Sequence, residues 1–150
     1  MPQSLSKVYT HIIFSTHERY PWIDDAIEDR LFAYLGKMCR SLECQPIKTG
    51  GYRDHVHILC ILSRKIAIMQ LVKDVKVHSS RWMKEQSERY SGFYWQQGYG
   101  IFSVSQSHAE QVKTYIAHQR QHHQKMSFQE EYLGFLKKYE VEYDEKYVWD

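Results

Sequence analysis

The chain has 150 residues, 43% of them hydrophobic, which suits one globular domain over 1–150 whose core needs no covalent or metal staples. Its 20 Lys and Arg face 18 Asp and Glu, and a net charge of +2 makes total charge a weak argument for a nucleic-acid partner, so distribution carries more weight. The first residues lack a signal-peptide apolar run, no stretch reaches membrane-spanning length, and Cys39, Cys44 and Cys60 form neither a disulfide framework nor a C-x-x-C pair; a soluble cytoplasmic protein with reduced core cysteines is expected.

Residues 7–15 (KVYTHIIFS) are rich in β-branched and aromatic types and read as a strand. After Pro21, Asp24 and Asp25 offer an N-cap and first-turn acids, and Ile27, Leu31, Tyr34, Leu35 and Met38 recur at helical spacing to about Leu42. Two extended runs, 47–51 and 55–62, flank Tyr52-Arg53-Asp54, a tight polar connection of the hairpin kind. From Ile66 a second amphipathic helix places Ile68, Val72, Val75, Ser79, Trp82 and Met83 on one face and Lys73, Lys76 and Lys84 off it. Residues 94–105 are aromatic with two glycines, a loop leading into a strand over 101–104. Ser107-His108-Ala109-Glu110 has the capping-box pattern and opens a helix to about Gln124, and Ser127-Phe128-Gln129-Glu130 repeats the pattern for a further short helix. The acidic tail, 141–150, reads as only partly ordered. The order strand, helix, strand, strand, helix, strand predicts an α+β fold of the ferredoxin-like kind, an antiparallel sheet backed by helices, with C-terminal helices added.

Charge is segregated. Acids gather at Asp24, Asp25, Glu28 and Asp29 and again from Glu130 onward, while the middle of the chain is basic. Arg53, beside the hairpin, and Lys73, Lys76, Arg81 and Lys84, on the second helix, are the candidates for contact with an anionic backbone, although any one of them read singly is equally an ordinary solvated side chain. Tyr94, Trp95 and Tyr99 are candidates for stacking on unpaired bases, against the commoner role of aromatic residues beside a strand in a core.

Two patterns carry chemistry. His55 and His57 are two apart on a strand and share one face, where two imidazoles can hold one metal; a pair on a half-exposed strand is otherwise just polar surface. Tyr115 and Gln119 are four apart and share a helical face, which puts a phenol beside a possible ligand, although a helical tyrosine is more often a packing residue. His118, His122 and His123 offer a different metal cluster or a basic helix end. The residues alone leave these readings open.

The stretches HIIFSTHERYPW, GGYRDHVHILC, FYWQQGYGIFSVSQS, VKTYIAHQRQHH and FQEEYLGFLKKYEVEYDEKYVW, in this order, resemble the single-tyrosine transposases of the HUH superfamily, the insertion-sequence enzymes and their REP-associated relatives. The resemblance covers nearly the whole chain. It implies a His-hydrophobic-His strand and a helical Tyr-x-x-x-Gln as the active site, with His55, His57 and Gln119 as ligands of a divalent metal, Mg2+ or Mn2+, and Tyr115 as the nucleophile that forms a 5′-phosphotyrosine with single-stranded DNA carrying hairpin ends, without ATP. It also implies a homodimer in which the tyrosine helix can act in trans, although REP-associated members are monomeric. Two other readings stay open: a domesticated relative that binds hairpin DNA or RNA without cutting it, and a zinc-dependent hydrolase using His55, His57 and one of His118, His122 or His123.

Overall fold

The computed structural model describes residues 2–150. Strand β1 (Tyr9–Ser15) leads through a short turn to helix α1 (Glu28–Ser41). Strands β2 (Gln45–Tyr52) and β3 (His55–Ile61) form the hairpin, and helix α2 (Ile68–Gln86) returns the chain to strand β4 (Gly100–Val104). The sheet runs β2-β3-β1-β4, every neighbouring pair antiparallel, which is the split β-α-β arrangement implied by the element order. Three helices follow: α3 (Ala109–Ala117), α4 (Gln119–His122) and α5 (Phe128–Lys138).

Alternation along the strands divides the core. Ile12, Phe14, Val56, Ile58 and Cys60 point to one face and pack with Leu31, Leu35 and Cys39 of α1 and Leu71, Val72, Val75 and Met83 of α2. Leu71 and not Ile68 belongs to the buried stripe of α2; Ile68 is exposed, because it occupies the first helical position ahead of the sheet. One residue out of phase, Tyr9, Leu59, Ile13 and Phe102 point to the opposite face, where Ala109 and Ile116 of α3 and Phe128, Tyr132 and Leu136 of α5 cover them. A sheet with both faces covered leaves no solvated side, so every inward polar group must find a partner.

Several local expectations are corrected. The Asp24 carboxylate accepts from the Ala26 and Ile27 amides and so caps the turn that feeds α1, which itself begins at Glu28. No capping box forms at Ser107, because 106–108 is a tight 3-10 turn in which the Ser105 and Ser107 hydroxyls meet His108 Nδ1 instead. The helix expected to reach Gln124 breaks at His118 (φ −108°, ψ 26°), separating α3 from α4. The second box does form, with Ser127 Oγ accepting from the Glu130 amide and the Glu130 carboxylate accepting from the Ser127 amide. Apart from these differences, at the end of the chain Trp149 packs beside Phe128 and Tyr132, its carbonyl accepts from Arg19, and Asp150 O accepts from the Gly98 amide and the Gln96 side chain.

Candidate active site

His55 and His57 are not polar surface. Both point to the face that α3, α4 and α5 cover, and both are 0% exposed. Opposite them Gln119 of α4 and Glu131 of α5 are 1% and 3% exposed, and Tyr115 of α3 is half-buried. Glu131 is the hub. Its Oε1 lies 2.9 Å from His57 Nε2, 3.4 Å from His55 Nε2 and 3.2 Å from His123 Nε2. Its Oε2 accepts from Gln119 Nε2 at 3.1 Å and from the Tyr115 hydroxyl. Gln119 Oε1 lies 2.9 Å from His55 Nε2 and 3.0 Å from His123 Nε2. Behind the pair, Asp54 Oδ1 sits 2.9 Å from His55 Nδ1, and His11 Nε2 sits 2.8 Å from His57 Nδ1, which leaves both Nε2 atoms facing Glu131 and Gln119.

The local sequence explains the convergence. Strand alternation puts His11, His55 and His57 on one face, and the β1–β3 register brings Ile13 opposite His57, so His11 and His57 are diagonal neighbours. Gly50 lets the covering layer approach, since a Cβ there would lie 2.9 Å from Ile116 Cγ2 and from the Ile116 carbonyl oxygen, and Gly51 lets the hairpin close, since a Cβ there would lie 2.2 Å from the His55 carbonyl oxygen of β3.

Charge follows from this packing. Burial alone would raise the Glu131 pKa, yet His57, His123 and His55 hold it well below the usual carboxylate range. Burial pulls the His57 and His11 imidazoles down, against the pull of Glu131. His123 is less buried and moves the other way, its desolvation outweighed by its hydrogen bond to Glu131. Burial first and the Glu131 charge second push the Tyr115 phenol up, so the nucleophile candidate rests protonated. His55, His57 and Glu131 each present a ligand atom, all within 4.8 Å of one another, so this buried group can hold a metal. One cleft of about 670 Å3, lined among others by His11, Ser105, His108, Tyr115, Glu131 and Lys138, leads from the surface to the phenol.

The model of the IS200-like transposase family matches residues 4–119, most of the chain, and ends at Gln119. The chain belongs to the IS200-like transposase family. Two solved structures share its fold. A candidate transposase from Deinococcus radiodurans has 24% identity and a TM-score of 0.62, over 79% of this chain and 98% of that one. A REP-associated tyrosine transposase bound to a REP hairpin has 11% identity and a TM-score of 0.59, over 82% of this chain and 73% of that one. No curated protein matches the chain in sequence.

Of the residues singled out from the transposase sequence, His55, His57, Tyr115 and Gln119 come together. His118 instead turns its Nδ1 to the Thr114 carbonyl, and the His122 ring lies against the Tyr115 ring, so only His123 of the three extra histidines joins the cluster. Glu131 and His11 escaped the sequence reading. Each had a signal: Glu131 shares a face with Phe128 and Phe135 in an amphipathic helix, and His11 interrupts an otherwise apolar strand.

The DNA-contact candidates fare unevenly. Lys73, Arg81 and Lys84 line a groove of about 770 Å3 on α2, on the sheet face opposite the histidines. Lys84 lies over the exposed Tyr94 ring, 4.1 Å from its centre. Lys76 turns inward, donating to the carbonyls of Gln96, Gln97 and Gly98 at 2.6–3.1 Å, and burial brings its pKa down to about 8. It ties the loop to α2. Arg53 pairs with Asp25 at 3.0 Å, and Arg120 reaches the same carboxylate at 2.8 Å. Trp95 is core, donating to Ser79 Oγ, whereas Tyr99 is only partly buried.

Proposed function

We propose that the transposase cuts and rejoins single-stranded DNA at hairpin ends through a 5′-phosphotyrosine on Tyr115, at a divalent cation, Mg2+ or Mn2+, held by His55, His57 and Gln119. The observation that carries this is the convergence of the half-buried phenol and two fully buried imidazoles on one carboxylate at the floor of an open cleft. In the reaction the Tyr115 oxygen attacks phosphorus and its proton passes to solvent in the cleft, the P–O3′ bond breaks, and the leaving 3′-oxygen takes a proton from solvent. The new phosphodiester keeps the bond energy, so a later attack by a 3′-hydroxyl reseals DNA without ATP. When bound, the cation offsets the phosphate charge and lessens the Glu131 charge that keeps Tyr115 protonated.

His11 and Asp54 fix the ring orientations, so that both Nε2 atoms are aimed before any ligand arrives. Arg53 and the surface cations of α2, Lys73, Arg81 and Lys84, are proposed to meet DNA phosphates outside the cleft. That a structural relative is bound to a REP hairpin supports hairpin DNA as the partner here. DNA as substrate also fits a cytoplasmic location. A zinc hydrolase reading retains His123 as its third imidazole, but it leaves no role for a phenol held against Glu131. A relative that binds without cutting would have no use for the buried cluster.

The test is incubation of purified protein with single-stranded hairpin DNA and Mn2+ or Mg2+, followed by denaturing electrophoresis. A covalent protein–DNA adduct is expected from the wild type and none from Tyr115→Phe, with hairpin affinity nearly unchanged; an undiminished adduct in that variant refutes the nucleophile. His57→Ala is expected to lose nearly all cleavage.

A further inference from the structure

Glu131 lies beyond the segment that matches the family model, which ends at Gln119, on a helix of its own. A glutamate 3% exposed is costly to bury unless its charge is met. Here it is met by several donors, and two of them are the histidines already placed at the cation. Cis ligands of one octahedral ion, bound at about 2.1 Å, stand about 3 Å apart. Glu131 Oε1 is 2.9 Å from His57 Nε2 and 3.4 Å from His55 Nε2, and Gln119 Oε1 is 2.9 Å from His55 Nε2. The two 2.9 Å contacts are hydrogen bonds of the imidazole Nε2 atoms, the 3.4 Å contact is an ion-pair distance, and a cation can take the place of the intervening protons without the heavy atoms moving far.

Resting on the reading that the site holds a divalent cation, we propose that Glu131 is its anionic ligand beside His55 and His57, and that the same carboxylate positions Tyr115, one oxygen toward the imidazoles and the other toward the phenol. Two imidazoles and the neutral amide of Gln119 would leave a buried dication uncompensated, whereas Glu131 removes one charge at the centre. Hard divalent cations also prefer carboxylate to amide oxygen. Gln119 then has a double part, its amide nitrogen holding Glu131 Oε2 at 3.1 Å and its amide oxygen remaining beside His55. The Ser127 capping box fixes the start of α5 one turn ahead of Glu131, and Phe128 and Tyr132 anchor the same helix under the sheet. The carboxylate is therefore delivered on a rigid element.

The experiment measures Mn2+ binding to the full chain, without DNA, from the paramagnetic resonance signal of free Mn2+. Glu131→Gln preserves shape but removes the charge and one of the two accepting oxygens, and its affinity is expected to fall at least about 100-fold. Glu131→Asp, too short to span imidazole and phenol together, is expected to lose at least about 10-fold. Circular dichroism checks the fold of each. Positioning is read separately: at saturating Mn2+ and DNA, Glu131→Asp is expected to form adduct at least about 10-fold more slowly with unchanged hairpin affinity. Mn2+ affinity within about threefold of wild type in either folded variant overturns the ligand assignment. If His57→Ala still abolishes Mn2+ binding in that case, the cation site stands without Glu131; a wild type that binds no Mn2+ overturns both.

Discussion

Glu131, His11 and His57 are buried together beside the half-buried Tyr115 and His123, and each shifts the protonation of its neighbours. The shifts give the metal-free protein a stability optimum, and the sign follows for each group. His11 and His57 have folded pKa values below the ordinary 6.5, so the unfolded chain binds more protons as pH falls below about 6.5 and stability is lost. Glu131 adds to this loss at lower pH, since its folded pKa lies below the ordinary 4.5 and its contribution fades as pH falls through the carboxylate range. His123 has the opposite sign: its folded pKa lies above 6.5, and its contribution is full below that value and fades as pH rises through the raised one. Urea titrations of chelator-treated protein from pH 4 to 9 are expected to show stability lost as pH falls below about 6.5 and a decline on the alkaline side that is flattened in His123→Ala. A profile that rises monotonically to pH 9 would contradict the assignment of protons in the cluster.

At the scale of elements, the β2–β3 hairpin does most to place the site. Its two-residue turn holds Arg53 at φ 45°, pairs Tyr52 with His55, and so sets which face both histidines take. Gly50 then admits α3, which carries Tyr115, to within contact of the β2 backbone. Gly50→Ala is expected to force α3 outward, at a cost of about 1–3 kcal/mol, and to slow adduct formation more than it weakens hairpin binding. Thermal melts and adduct kinetics on the one variant check both. The capping signals show how far sequence carries at this scale. Ser127 and Ser107 have the same pattern, S-x-x-E, but only Ser127 stands at an extended N-cap (ψ 164°), whereas 106–108 are already wound into a tight turn. The pattern names residues able to cap, and the incoming backbone decides whether they do. The break at His118 was hidden for the same reason, since no proline or glycine marks it.

At the scale of the molecule, one chain supplies every member of the cluster: His11 from β1, the histidine pair from β3, Tyr115 from α3, Gln119 from α4 and Glu131 from α5. This supports a site that acts in cis. The exchange of tyrosine helices in a homodimer, implied by resemblance, would require α3 to leave its packing against β2 and β3. Mixing Tyr115→Phe with His57→Ala protein is expected to restore no adduct, since neither chain holds a complete site; adduct at an appreciable fraction of the wild-type yield would establish action in trans. The sheet also separates the cleft from the basic groove on α2, so a DNA strand that meets both must pass around an edge of the sheet.

Hydrophobic period, turn residues and element order fixed the ferredoxin-like architecture of this chain, because periods of 2 and 3.6 are local properties of a sequence and the split β-α-β connection leaves few ways to pair four strands. Spacing likewise determined that His55 shares a face with His57, and the quoted motifs, by resemblance, set Tyr115 and Gln119 beside them. Which side of the sheet the later helices would cover, that Lys76 turns inward while its neighbours on α2 face the groove, and that Glu131 and His11 reach the histidines were decided only in three dimensions. The meeting of His57 with Glu131 joins positions 74 apart in the chain, and no local preference encodes a contact whose geometry comes from two layers closing over one sheet.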